Sequence, residues 1–135
     1  QRYTAWLNRL MQNSRDLCLV AEDTAENLDQ SPDQSPDPPA ENPHCLAGFL
    51  IATLEREIPI YRLKEFAFIH DLWVEERYRQ GGIARQMVMQ AIAHFQQLEI
   101  QQIRLDTAYA NEAARKLFAA CGFRISTIEM LIELN

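Results

Sequence analysis

The residues best suited to chemistry lie in Arg79-Gln80-Gly81-Gly82-Ile83-Ala84, where paired glycines divide an aromatic, branched run from a helical pattern. Ahead of the glycines, residues 66–74 (FAFIHDLWV) read as a strand. Behind them, apolar residues recur at Ile83, Ala84, Met87, Val88, Ala91, Ile92, Phe95 and Leu98, a spacing that lays one stripe along a helix. A helix that opens on glycines straight after a strand is a prepared anion site, because its first N–H groups lack intrahelical partners and the peptide dipoles favour negative charge there. A phosphate-bearing ligand is therefore expected. The Gly-Lys-Ser/Thr ending of a Walker loop is missing, and so is the G-x-G-x-x-G of a dinucleotide fold. The competing reading is a plain strand-to-helix turn in which Gly82 only lets the two elements pack.

A second pattern runs from Asn111 to Phe123 (NEAARKLFAACGF). Asn111 suits a helix N-cap, and Ala113, Ala114, Leu117, Phe118 and Cys121 cluster on one helical face. Gly122 stands where a left-handed helix stop is needed. Together the two stretches resemble the signatures of the Gcn5-related N-acetyltransferase (GNAT) family, Q/R-x-x-G-x-G/A followed by N-x-x-A-x-x-L-Y-x-x-x-G-F. The resemblance covers roughly residues 16–134 apart from one insertion, and it is specific over 69–123.

That resemblance implies an α/β fold, a central mixed sheet flanked by helices, and acetyl-CoA as cosubstrate with no metal. In the family the central strand and the strand after the long helix splay apart, and the pantetheine arm lies between them. Carried over, backbone groups of Leu72 and Val74 would meet the pantetheine amides. The turn from Gln80 through Gly81, Gly82, Ile83 and Ala84 to Arg85 would hold the pyrophosphate, with Arg79 and Arg85 as local positive charges. Glycine at 81 and 82 would let oxygens approach the backbone. Asn111, Ala114 and Phe118 of the second motif would lie beside the cofactor, Asn111 near the thioester.

The implied reaction is direct acetyl transfer to a primary amine of a small molecule or peptide. It needs a base for the amine, a donor for the oxyanion and a proton for the departing thiolate. Asp71 is the favoured base, through a water; it resembles the acidic position before the family's Leu-x-Val, and by alternation it shares a face with Trp73. Glu75 and His70 are further candidates. Asp71 could equally recognise a cationic acceptor or end a strand pattern. The family's acid is a tyrosine where this chain has Phe118, which carries no hydroxyl. Tyr109 could substitute if its ring reaches the cleft, or the thiolate could leave without an acid, since thiol pKa values lie near ~8.5.

The remaining elements must position this site. The chain of 135 residues is long enough for one domain, and its 19 Asp and Glu against 13 Lys and Arg argue against nucleic acid as a partner. No apolar run is long enough to span a bilayer, so no membrane partner is expected. Cys18, Cys45 and Cys121 have no metal spacing and read as small apolar residues of a reducing cytoplasm. Neither His44 nor His94 has a ligand set for zinc around it.

Tyr3, Trp6, Leu7, Leu10 and Met11 predict an amphipathic helix over residues 1–14, and residues 17–21 a short strand. Family members carry a further strand and helix before this point, which implies a truncated or processed start. Residues 22–43 hold most of the prolines and repeat Asp-Gln-Ser-Pro, so a disordered acidic loop is expected, either a tolerated insertion or an arm for basic substrates. Residues 45–55 are the next strand, Pro59 interrupts pairing, residues 103–109 form a strand after the long helix, and 125–134 one long or two short strands. The order is β-β-β-α-β-α-β, and the last strand would suit a homodimer interface. A catalytically silent acyl-CoA-binding or regulatory module is the alternative function; an interaction domain with no nucleotide site is a third.

Overall fold

The structure is a computed structural model that describes residues 5, 12–24 and 44–135. The helix expected over residues 1–14 and nearly all of the proline-rich insertion fall outside the described residues. Four strands, β1 (Leu17–Thr24), β2 (His44–Arg56), β3 (Glu65–Val74) and β4 (Ile103–Leu105), form one sheet in that order. Helix α1 (Ile83–Gln97) links β3 to β4, and α2 (Glu112–Ala120) follows β4. The first three strands pair antiparallel, whereas β4 runs parallel to β3, as a strand reached through a helical crossover can. β1 continues through Glu22 to Thr24, so the sheet claims residues that composition alone assigned to the insertion.

One face of the sheet carries the core. Leu50 and Ala52 of β2, Ala67, Ile69 and Val74 of β3, and Met87, Val88, Ala91 and Phe95 of α1 form a single buried cluster, which Phe118 of α2 joins. The helical stripe read from the spacing is the face that packs. Gly48 makes the packing possible: a Cβ there would come within 2.6 Å of the Trp73 carbonyl oxygen and 3.2 Å of the Met87 Cε. The sheet's first strand is also tied in by polar contacts. Asp16 accepts from the Leu54 N–H at 2.8 Å, and the Arg15 guanidinium grips Glu65 through both carboxylate oxygens at 3.1 and 2.9 Å. That hydrogen bond holds the Glu65 carboxyl below its ordinary range. The pair is solvent-facing, so it sets register more than it adds stability.

Between β2 and β3 the chain closes with Glu57 N–H on the Lys64 carbonyl at 3.0 Å and a turn at Ile58–Tyr61, with Pro59 inside it as expected. Two expected strands come out differently. β4 ends at Leu105 rather than Tyr109, because pairing with β3 stops at Ile69–Leu105. Residues 124–135 form no strand, since among the described residues no neighbouring strand receives their backbone.

Both helices end in the same motif. At α2, Gly122 (φ 97°) donates to the Ala119 carbonyl and Phe123 to the Phe118 carbonyl, while the Phe118 and Phe123 rings meet edge-on at 5.4 Å. This is a Schellman stop with its hydrophobic contact. At α1, Glu99 donates to Gln96 and Ile100 to Phe95, but the left-handed residue is Glu99 at φ 60°. A side chain in that conformation costs ~1–2 kcal/mol that glycine does not incur. Glu99→Gly is expected to stabilise the fold by up to ~1 kcal/mol after the greater freedom of glycine in the unfolded chain is counted; chemical denaturation checks it, with an unchanged or lower midpoint contradicting the assignment.

Candidate active site

The site begins with an irregularity in β3. Pairing with β2 runs Ala67–Leu54 and Ile69–Ala52, then resumes at Asp71–Ile51 and Leu72–Leu50, leaving His70 as the extra residue of a β-bulge. The alternation of both side chains and backbone groups therefore reverses once. Before the bulge, Ala67 turns its side chain to the core and its N–H away from β2, to the Gln102 carbonyl beside β4 at 2.9 Å. After it, Glu75 donates to Ala47 of β2 at 2.7 Å, so Leu72 and Val74, three and one residues earlier in the alternation, direct their backbone groups away from β2. β4 has already parted from β3 at Ile69–Leu105, and among the described residues no strand pairs with that edge. The edge at Leu72–Val74 is thus open backbone.

This open edge leads into the glycine turn. Glu75 caps a 3-10 turn (Glu76–Tyr78) by accepting from the Arg77 N–H at 3.2 Å, and its carboxylate also faces the Arg77 guanidinium at 3.2 Å. Tyr78 fastens the turn to β1 by donating its hydroxyl proton to Asp23 at 2.7 Å. Arg79 donates its Nε–H to the Val74 carbonyl at 3.0 Å, which folds the guanidinium back over the strand end. Gln80 and Gly82 then both take positive φ, 68° and 83°. For Gln80 that is a strained conformation, and Gly82 relieves the strain at the helix N-cap. A Cβ at Gly82 would meet nothing within 4 Å, so the glycine answers the backbone angle and not a close protein neighbour. No side chain caps α1, and its first bond back is Gln86 N–H to the Gly82 carbonyl at 3.0 Å. The preceding N–H groups point out of the helix start, as an anion site requires.

The face of β3 opposite the core carries the polar candidates. Because of the bulge, His70 and Asp71 both lie between core-facing Ile69 and Leu72, and Trp73 joins them with its ring 5.7 Å from Phe49. Asp71 and Trp73 share this face as the alternation predicted. His70 is engaged by β2: its Nε2 lies 2.6 Å from the Thr53 hydroxyl, which also donates to Glu55 at 2.8 Å. With Thr53 donating to a carboxylate, the proton between His70 and Thr53 belongs to the imidazole Nε2. Sequence reading did not find this Thr53–Glu55–His70 chain, because only the register of β2 against β3 brings the three together. Glu75, the other alternative base, is spent on capping.

The second motif divides. Asn111 caps α2 by accepting from the Ala114 N–H at 3.1 Å, and Ala114 packs partly against the core. Phe118 is only 8% exposed, its ring in the core rather than in the opening between β3 and β4. Tyr109 lies beyond the end of β4, 84% exposed, with the Arg115 guanidinium 4.8 Å over its ring. The charge of Arg85, in the first turn of α1, is felt at Cys121 at the end of α2. A hollow of about 310 Å³ borders the glycine turn on its β1 side, lined by Leu19, Ala21, Tyr78, Ile83 and Met87 among others, and it contains neither Asp71 nor Leu72. The unpaired strand edge, and not this hollow, leads into the glycine turn. Among the described residues no group of acids, histidines and cysteines could hold a metal ion, and no helix is long and apolar enough to cross a membrane.

The sheet opens at the bulge, and a glycine-started helix stands at the opening. The chain belongs to the acetyltransferase (GNAT) family, whose model matches residues 3–123. It is similar in structure to a mutant of the BH1408 protein from Bacillus halodurans, with 20% identity over 97% of this chain and 73% of that one and a TM-score of 0.76. The aminoglycoside 6'-N-acetyltransferase AAC(6')-Ih from Acinetobacter baumannii matches with 18% identity over 99% and 80% at a TM-score of 0.67. AAC(6')-Iy in complex with the bisubstrate analog CoA-S-monomethyl-acetylneamine matches with 16% identity over 99% and 79% at 0.70. At these identities the likeness is one of fold. No curated protein matches the chain in sequence.

Burial raises the Cys121 thiol above its ordinary pKa, against a smaller opposing pull from Arg85. The nucleophile in alkylation is the thiolate. Alkylation of Cys121 by iodoacetamide is therefore expected to be slow at neutral pH and still rising at about pH 9.5, where a thiol of pKa ~8.5 has levelled off. Peptide mass mapping against exposed Cys18 follows it; a plateau by that pH would contradict the shift.

Proposed function

We propose that the protein transfers an acetyl group from acetyl-CoA directly to a primary amine of a small molecule or peptide. The observation that carries this reading is the continuity of the open Leu72–Val74 edge with the uncapped first turn of α1. Buried amides must find partners. The Leu72 N–H and C=O and the Val74 N–H along this edge suit a chain of amides, as in pantetheine, and the N–H groups after Gly82 suit a pyrophosphate. The strained Gln80 supports a ligand role, since backbone strain at a turn persists where the surroundings require it. Acetyl-CoA supplies an activated thioester when bound. Asp71, beside the opening, would receive the amine's proton through a water. The acceptor class fits a cationic amine, drawn by the net charge of -6 and by Asp71.

A second reading, an acyl-CoA-binding module without turnover, has its own support: Phe118 has no hydroxyl and is packed in the core. Calorimetric titration with acetyl-CoA, followed by thiol release across an amine panel, separates the two. Binding with thiol release supports the enzyme; binding without release supports the module.

The cofactor turn is tested by two substitutions at one left-handed position. Asn and Asp both tolerate that backbone, so Gly82→Asn is expected to keep most of the affinity for acetyl-CoA, whereas Gly82→Asp loses about tenfold or more through its charge. Equal affinities would remove the pyrophosphate assignment. Asp71→Asn is expected to leave binding nearly intact and lower turnover by about 10²-fold or more; an unaltered rate across the pH range would exclude Asp71 as the base.

A further inference from the structure

The sheet carries a second apolar surface, on the face turned away from α1. Its register sets Val20 of β1, Phe49 of β2 and Trp73 of β3 side by side across three strands. None of the three belongs to the core, which takes Leu19, Leu50 and Val74 beside them. The irregularity between Ala21 and Glu22 brings Leu46 onto the same face. Val20 is 54% exposed, Leu46 48% and Trp73 36%, whereas Ile51 and Thr53, farther along β2 on this face, are 2 and 7% exposed. The exposure is therefore confined to the end of the sheet that holds the glycine turn. Apolar side chains gathered in one exposed place mark a binding surface, as scattered ones do not.

Its surroundings decide what binds there. Asp71 pairs with Ile51, one step from the row and two residues from Trp73 on the same strand face. Carboxylate and indole are thus about 7 Å apart along the strand. Trp73 also lies between Leu72 and Val74, so the surface adjoins the opening between β3 and β4. The Phe49 ring, 5.7 Å from the indole with 31° between the planes, steadies it. On the other side of Asp71 the polar groups are engaged with one another: His70 with Thr53 at 2.6 Å and Thr53 with Glu55 at 2.8 Å, while the His70 ring lies 4.9 Å from that of Phe68. An amine held at Asp71 therefore extends over an apolar floor.

We propose that this surface is the acceptor platform, and that the acceptor is a primary amine joined by a short link to an aromatic ring. The inference rests on the acetyl-transfer reading given above and narrows its acceptor. The ammonium stands against Asp71, the ring stacks on Trp73, and the rest of the molecule covers Phe49, Val20 and Leu46. Ring stacking and the apolar area that a ring buries both favour such an acceptor. A hydroxylated amine loses by comparison, because its hydroxyls would meet apolar side chains and leave their hydrogen bonds to water unreplaced.

Calorimetric titration of the CoA-saturated protein with phenethylamine, tryptamine, ethanolamine and glucosamine tests the platform without turnover, and thiol release from acetyl-CoA with the same four amines tests it with turnover. The two aromatic amines are expected to bind about tenfold or more tighter than ethanolamine and glucosamine, and to lead in kcat/KM by a similar factor. Trp73→Ala is expected to erase that preference and Trp73→Phe to keep most of it, with acetyl-CoA titration reporting that each variant is folded. Aromatic amines that bind no tighter than ethanolamine, or a preference that survives Trp73→Ala, would overturn the proposal. Thiol release at equal rates with all four amines would remove the platform and leave the acetyl-transfer reading standing. Ranked binding with no thiol release would keep the platform and remove the transfer reading.

Discussion

One extra residue in β3 sets the terms for the rest of the molecule. Without His70 in excess, Leu72 and Val74 would turn their backbone groups toward β2 and their side chains away from α1. With it, the same strand buries core residues on both sides of the irregularity and still presents unpaired amides where β4 departs. The bulge shifts both alternations together, so that Leu72 and Val74 take the inward, open-edged positions that Asp71 and Trp73 would hold in a regular strand. The site and the core are two readings of one register.

The glycine turn depends on this arrangement. Arg79 reaches the Val74 carbonyl only because that carbonyl points away from β2, and the contact orients the chain as it enters the strained Gln80. Tyr78 on Asp23 and Glu75 on Arg77 hold the approach from the other side. The start of α1 is therefore positioned by β1 and β3 together. Polar groups are committed wherever geometry must be fixed, and backbone is left open where a ligand is expected.

Much of this was legible in the sequence, for identifiable reasons. The stripe from Ile83 to Leu98, the Asn111 cap and the Gly122 stop are local, and local rules read them correctly. The family was legible because its two motifs are contiguous strings. Gly48 was not singled out, since its need comes from Trp73 and Met87 in other elements. The Thr53–Glu55–His70 chain was invisible for the same reason, and the bulge left no mark in the composition of β3. Residues 125–134 were read as a strand from a pattern that is truly there, but a strand is a relation between segments and pattern supplies one side only. Phe118 was weighed for chemistry by motif position, whereas its ring follows the helical stripe into the core.

The order of the strands along the chain has a kinetic side. β2 and β3 are joined by the short connection from Arg56 to Glu65, whereas the connection from Thr24 to His44 is more than twice as long. Loop closure becomes costlier with length, by about 0.6 kcal/mol per doubling. β4 can join only after α1 has crossed over the sheet, so its three residues pair late whatever their propensity. The β2–β3 hairpin, which contains the bulge, is the cheapest nucleus available. Loop-closure cost thus places the irregularity that opens the site in the strand pair that is cheapest to form.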